Sequence, residues 1–328
     1  MMDVWWVSDA GLEEHDVTQV DDLLHRDDGF TWLDVPEFDD SAETLLREHF
    51  HAHPMVVKAC RERNFVPSVH GYEHHTFVIV HTPLPGEGGH VHMLELDQLV
   101  GRRYLVTVHG PRNPAVSLAD ATEETRSVLE RIRAGRFRPS SPSELSYAIG
   151  SAVARRQSAA VKDVASRLPA LEMRVMSSDF HQPEELLEEL FLLRHELLIS
   201  RTQAGQAHEV YGRLASLERF ASKESQRHAR DLSEQFDRVR SLADGESQFL
   251  FGVIELYQTR VTTKMTVAME RLAVIAAITL PVTAIASIYG MNVIVNASTH
   301  WVQLIIVLAV MASISLWLLR WARRQGWW

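Results

Sequence analysis

Leu272–Tyr289 reads LAVIAAITLPVTAIASIY and Trp301–Leu319 reads WVQLIIVLAVMASISLWLL, and neither stretch holds an Asp, Glu, Lys or Arg. A helix needs about 17 to 25 mostly apolar residues to cross a hydrocarbon core, and each stretch meets that length. Two membrane spans near the C-terminal end are therefore expected. Both stretches are too long and too late in the chain for a signal peptide, and Met1–Gly11 lacks the basic and apolar regions of one. Tyr289-Gly290-Met291-Asn292 closes the first span. Glycine permits close backbone approach and Asn supplies an uncharged carbonyl oxygen, so copies arranged round an axis would present a ring of ligands to a hydrated cation.

The flanks give an orientation. Lys264 and Arg271 precede the first span, Arg320, Arg323 and Arg324 follow the second, and the connector Val293–His300 has neither Lys nor Arg. By the positive-inside rule both termini face the cytoplasm, which makes this a multi-pass protein of the cell (inner) membrane with the lipid bilayer as a partner. Trp301, Trp317, Trp321, Trp327 and Trp328 suit the interfacial belts of the second span. Cys60 is the only cysteine of 328 residues, which forbids an intrachain disulfide and agrees with a reducing compartment. A net charge of -10 argues against nucleic acid as a partner and modestly favours cations.

Upstream of the spans the chain changes character once. Val4–Val7, Phe30–Val35, Thr76–His81, Val91–Leu96 and Tyr104–His109 read as strands, with Asp40–Phe50 and Pro54–Glu62 as helices between them. After Pro142 the pattern is helical: Ser143 to Met176 with a break expected at Pro169, then a helix from Ser178 or Asp179 with Pro183 in its first turn. Leu186, Leu190, Leu193 and Leu197 give that second helix an apolar stripe, and Glu184, Glu185, Glu188 and Glu189 form a solvated face near its N-terminus. From His208 only glycines interrupt helix formers before Pro281, so the last helix is expected to run from there into the membrane. The fold class is thus α+β: a cytosolic α/β domain over 1–142, long helices and a stalk over 143–265, and a two-helix transmembrane pore domain over 266–328.

Met269, Leu272, Ala276, Leu280, Thr283 and Ser287 recur every three or four residues, near the 3.5 period of a supercoiled seam. Such a seam can face copies of itself. Two spans per chain cannot enclose an aqueous path, so transport requires an oligomer with the first span lining its axis. The same threonines and serine also suit plain hydrogen bonding to the helix backbone or to neighbouring helices.

The chain resembles the CorA family of divalent-cation channels, also described as magnesium transporters, over nearly its full length. Pro281-Val282-Thr283 through Ile288-Tyr289-Gly290-Met291-Asn292 carries most of the resemblance. Trp32-Leu33-Asp34, His53-Pro54-Met55, Glu95-Leu96-Asp97 with Gly101, Leu105-Val106-Thr107-Val108-His109 and Leu186 through Leu193-Arg194 add to it. The resemblance implies a funnel-shaped homopentamer that passes Mg2+, with Co2+ and Ni2+ as secondary ions, down the electrochemical gradient. Gly290, Met291 and Asn292 match the selectivity entrance, where neutral oxygens can hold an ion through the water it gives up reluctantly. Met269 and Leu272 match the apolar constriction, Thr283 a polar ring above it, and Thr266 the family's polar Asn at the cytoplasmic end. Mg2+ enters as cargo and as a regulator; no organic cofactor is implied.

Departures concern regulation. Relatives usually carry Glu-Asp shortly after His-Pro, where this chain has Lys58-Ala59. That Asp pairs across subunits with a stalk acid, here matched by Glu255, and Asp231 is a further stalk acid. With Ala59 in place, closure by internal Mg2+ at that site is expected to be weak. The connector Val293–His300 has no acid to trap cations outside. The 17 histidines, with His49, His51 and His53 alternating, keep open a Zn2+ transporter, proton-coupled, of the related zinc branch. A non-conducting membrane-anchored cation sensor is a third reading, and flux separates it from the others. No phosphate loop, Gly-x-Ser-x-Gly or His-Glu-x-x-His motif is present, so no enzyme class is indicated.

Overall fold

The computed structural model describes residues 2–177, 183–217, 222–290 and 301–324. In chain order the elements are β1 (Asp3–Ser8), β2 (Gly11–His15), α1 (Val20–His25), β3 (Gly29–Val35), α2 (Asp40–Glu48), α3 (Pro54–Arg61), β4 (Ser68–Gly71), β5 (His75–Pro85), β6 (Val91–Gly101) and β7 (Tyr104–Val108). Six helices follow: α4 (Leu118–Ala121), α5 (Glu123–Arg133), α6 (Pro142–Met176), α7 (Pro183–Ser216), α8 (Lys223–Gly290) and α9 (Trp301–Arg324). The chain divides into two compact units, Met1–Phe251 and Gly252–Trp328.

In the first unit the strands form one sheet of order β2-β1-β3-β7-β6-β5-β4, in which only the β3–β7 pairing is parallel. Successive side chains of a strand point to opposite faces, and both faces here are apolar. Trp5, Val7, Trp32, Val78, Val80 and Leu105 join one core with residues of α5, α6, α7 and the early turns of α8. Val4, Trp6, Leu33, Phe77, Ile79 and Val106 join a second core with α1, α2 and α3. Runs of buried residues such as Trp32-Leu33, free of polar alternation, are therefore what a sheet covered on both sides requires.

Local chemistry sets the helix starts. The Asp39 carboxylate accepts the Ala42 amide at 2.8 Å to open α2, and α3 begins at Pro54, whose missing amide is one that a first turn leaves unbonded anyway. The expected break at Pro169 does not occur: α6 runs through it unbroken. Val161, Val164, Leu168, Leu171 and Val175 are all at most 2% exposed at spacings of three and four, and they pack α6 along α7. Pro169 itself is exposed, so the carbonyl that loses its amide partner can be hydrated. Arg167–Glu196 at 3.0 Å and Arg174–Glu189 at 2.5 Å span the antiparallel α6/α7 pair.

The last helix also starts later than its composition indicates. α7 continues past His208 to Ser216, and α8 begins at Lys223, where the Ser222 hydroxyl accepts the Ser225 amide at 3.1 Å. The expected helix start at Ser178 or Asp179 lies outside the described residues, and α7 is described from Pro183. In the second unit α8 runs through Pro281 to Gly290. Both α8 and α9 are long and apolar enough to cross a membrane, and their most apolar windows are only 6% and 0% buried within the chain. Helices from the core of a soluble domain would be covered by their own fold.

Candidate functional site

Along α8 every residue of the expected stripe is exposed in the single chain: Thr266, Met269, Leu272, Ala276, Leu280, Thr283 and Ser287. At about 100° per residue, Met269 through Ser287 in that series fall within an arc of about 80°, and Thr266 sits about 40° outside it. Val274 is buried and Ile278, Pro281 and Ile285 are half-buried, all on the opposite side of the helix. The helix thus has one face packed within its chain and one apolar-to-hydroxyl face left open. Gly290 ends the helix, exposed and with open space where a side chain would begin. Met291 and Asn292 lie outside the described residues.

The hydroxyls on this helix are not idle. Thr266 donates to the Thr262 carbonyl at 3.0 Å, Thr279 to Ile275 at 2.9 Å and Thr283 to Thr279 at 2.8 Å. Backbone bonding of this kind is one reading the sequence supports. It is compatible with a second. A hydroxyl whose only proton is donated inward offers its lone pairs outward as an acceptor, which is what the water shell of a cation requires.

The two stalk acids differ. Asp231 is committed within its own chain: its Oδ2 accepts the Tyr147 hydroxyl at 2.6 Å and the Gln235 amide at 2.7 Å. Those bonds, Tyr147 first, hold its carboxyl below the usual carboxylate range. Glu255 is exposed, 24 residues further along the sequence. Lys58 is also exposed and lies 3.9 Å from Glu62, whereas Ala59 packs against the second core.

Several motif segments far apart in sequence meet inside the first unit. Trp32 Nε1 donates to the Thr107 hydroxyl at 3.1 Å, Thr107 donates to Asp34, and His109 Nε2 sits 2.9 Å from Asp34 Oδ1. Burial opposes charge on the His109 ring, yet the Asp34 carboxylate, with Glu124 further off, raises its pKa above the ordinary value. Glu95 accepts both the amide and the side chain of Asn64, and burial raises the carboxyls of Glu95 and Asp97. These residues brace the fold, and sequence spacing alone gives no sign of their convergence. Among the described residues no three of His, Cys, Asp or Glu come together to hold a metal ion.

The family model described as "CorA-like Mg2+ transporter protein" matches residues 27–324. The chain belongs to this family. It is therefore a membrane protein of a family of divalent-cation transporters and not of an enzyme class. Among relatives, it is 25% identical over 298 residues to YfjQ of Bacillus subtilis, covering 90% of this chain and 89% of that one. It is 24% identical over 328 residues to the cobalt/magnesium transport protein CorA of Thermotoga maritima, covering 96% of this chain and 89% of that one. Among solved structures, the complete CorA magnesium transporter of Methanocaldococcus jannaschii superposes with a TM-score of 0.81 at 18% identity, covering 100% of this chain and 99% of that one. The cytoplasmic domain of ZntB from Vibrio parahaemolyticus superposes less well, at a TM-score of 0.57 and 11% identity over 80% of this chain and 98% of that one. The expected architecture of an N-terminal α/β domain, a long helix and two C-terminal apolar helices is that of the CorA fold.

Proposed function

We propose that this chain forms a homopentameric channel in the cell membrane that passes Mg2+, and secondarily Co2+ and Ni2+, passively down the electrochemical gradient, with residues 266–328 as the pore domain. The observation that carries this reading is the open face of α8. Its residues from Met269 to Ser287 are exposed in one chain, lie opposite the face packed within the chain, and end at Gly290. A single two-helix unit cannot enclose water, and copies placing this face round an axis can. Membership of a Mg2+ transporter family and likeness to a protein named for cobalt and magnesium transport support the choice of ion.

In this arrangement Gly290, Met291 and Asn292 form the outer entrance, and the Asn292 carbonyl oxygens hold the ion through its water shell. Thr283 and Ser287 carry acceptor oxygens inward from the entrance, and Leu280 and Ala276 line the path below them. Leu272 and Met269 form an apolar constriction that closes by dewetting, and Thr266 lies beyond it on the cytoplasmic side. Both termini are cytoplasmic, and movement of the stalk opens the constriction. Glu255 and Asp231 are the stalk acids nearest in role to the family's regulatory ligands, with Mg2+ acting there as regulator. Asp231 serves less readily because its carboxylate already accepts two bonds.

The test is Asn292→Ala in the full-length protein. Mg2+ uptake into proteoliposomes is expected to fall to the level of empty vesicles while the oligomer, measured by size-exclusion chromatography with light scattering, remains intact. Normal uptake in that variant would remove the entrance assignment.

A further inference from the structure

A cavity of about 660 Å3 opens within the first unit, beside the β4–β5 and β6–β7 turns at one end of the strands and the helices α6, α7 and α8. Its size falls in the range of about 300 to 1,000 Å3 that small-molecule sites occupy. It lies in the soluble unit, and the transport reading makes no use of it.

Four features of its wall bear on what it could hold. First, the opening turns of two long helices border it: Ser141 to Ser143 of α6, and Ser222, Glu224 and Ser225 of α8. In each turn one amide is already capped, Glu144 by the Ser141 hydroxyl at 3.2 Å and Ser225 by the Ser222 hydroxyl at 3.1 Å, and Pro142 has none, so what each turn offers is its remaining first-turn amides and the positive end of the helix dipole. Second, Arg102 and Arg103 line it. Arg102 has no acidic partner among the described residues, and Arg103 pairs with Asp27 through Nη1 while its Nη2 is buried without a partner. Third, His75 lines the cavity at 6% exposure with both ring nitrogens unpartnered. Burial pushes its pKa down to about 4, so at neutral pH the ring has one donor and one acceptor to offer. Fourth, aromatic rings are present: Tyr72 lies 5.1 Å from His75 and covers one face by stacking on His53 at 4.5 Å, and Tyr147 covers one face by stacking on His228 at 4.7 Å. Two acids, Glu73 and Glu224, also border the space, equal in number to the two arginines.

We propose that this cavity binds a phosphorylated small molecule carrying a planar ring, of the nucleoside monophosphate class. The two helix N-termini and the arginines receive the phosphate, and the histidine and tyrosine faces receive the ring. A phosphate ion alone uses half of the wall and a free nucleoside the other half.

The experiment titrates the full-length protein in detergent with AMP by isothermal calorimetry, with EDTA present so that no metal mediates binding. Parallel titrations use inorganic phosphate and adenosine. Saturable binding of AMP at one site per chain is expected, with adenosine weaker by at least about tenfold through the loss of charge-assisted contacts and phosphate weaker by at least about tenfold through the loss of the ring contacts. Arg102→Glu is expected to weaken AMP by about tenfold or more. Ser225→Asp provides a second variant in which misfolding is not an issue, because an acid in the first turn of α8 favours the helix while repelling the phosphate. Absence of saturable AMP binding overturns the proposal. So does AMP binding that both variants leave unchanged, or adenosine or phosphate binding as tightly as AMP.

Discussion

Asp34→Ala removes the acid from a pair whose side chains are 7% and 1% exposed, and it leaves His109 buried beside a cavity. Three groups lose the Asp34 carboxylate at once: His109 Nε2 at 2.9 Å, and the Thr107 hydroxyl and the Thr125 hydroxyl at 3.2 Å, which keep the backbone carbonyls of Leu33 and Thr122 as acceptors. Breaking one side of a buried pair costs about 3 to 5 kcal/mol. For a unit of this size each kcal/mol lowers the midpoint by about 2 to 4 °C, so Tm is expected to drop by about 6 to 20 °C. The pH dependence has a defined sign. The folded-state pKa of His109 is raised, so the pair's contribution is fully present below the unfolded value of about 6.5. It is lost as pH rises through the higher folded value. The difference in Tm between wild type and variant should therefore be largest near pH 6 and shrink towards alkaline pH. Differential scanning fluorimetry of the full-length protein in detergent reads both quantities. A Tm within 1 °C of wild type at pH 6, or a difference that grows with pH, would refute the assignment of a charged buried pair.

Met269→Ser and Leu272→Ser are expected to raise basal Mg2+ flux, because a hydroxyl wets a constriction that an apolar ring keeps dry; stopped-flow uptake with a Mg2+-sensitive dye reads the rate. Thr283→Val keeps the shape and removes the outward acceptor, so it should slow Mg2+ uptake several-fold with assembly unchanged, and a rate equal to wild type would leave Thr283 with backbone bonding alone. The Lys58-Ala59 pair predicts weak inhibition by internal Mg2+. Lys58→Glu with Ala59→Asp should shift inhibition to lower Mg2+ by about tenfold, read as flux against loaded Mg2+, through two added carboxylates in place of a cation.

The chain disclosed some features plainly because they depend on near neighbours. The membrane stretches follow from the absence of charge over 272–289 and 301–319. The open stripe of α8 follows from spacing alone. Strands β1, β3, β5, β6 and β7 are legible because β-branched and aromatic residues concentrate there. The edge strands β2, GLEEH, and β4, SVHG, are short and carry little apolar signal, so pairing with β1 and β5 decides them. Helix α5 hides between prolines, although Val128, Leu129 and Ile132 bury one face of it. Pro169 was misleading because propensity weighs a proline without knowing that it faces solvent on a helix pinned by five buried residues. The Asp34–His109 pair joins positions 75 residues apart, and the cavity gathers residues from the sheet and four helices. No local pattern encodes either.

Mg2+ uptake by the purified, reconstituted chain, measured beside Co2+, Ni2+ and Zn2+ with and without a pH gradient, tests the central claim most directly. Mg2+ uptake that is saturable, independent of protons and abolished by Asn292→Ala is the predicted result. Zn2+ uptake driven by protons, or binding of Mg2+ without any flux, would contradict it.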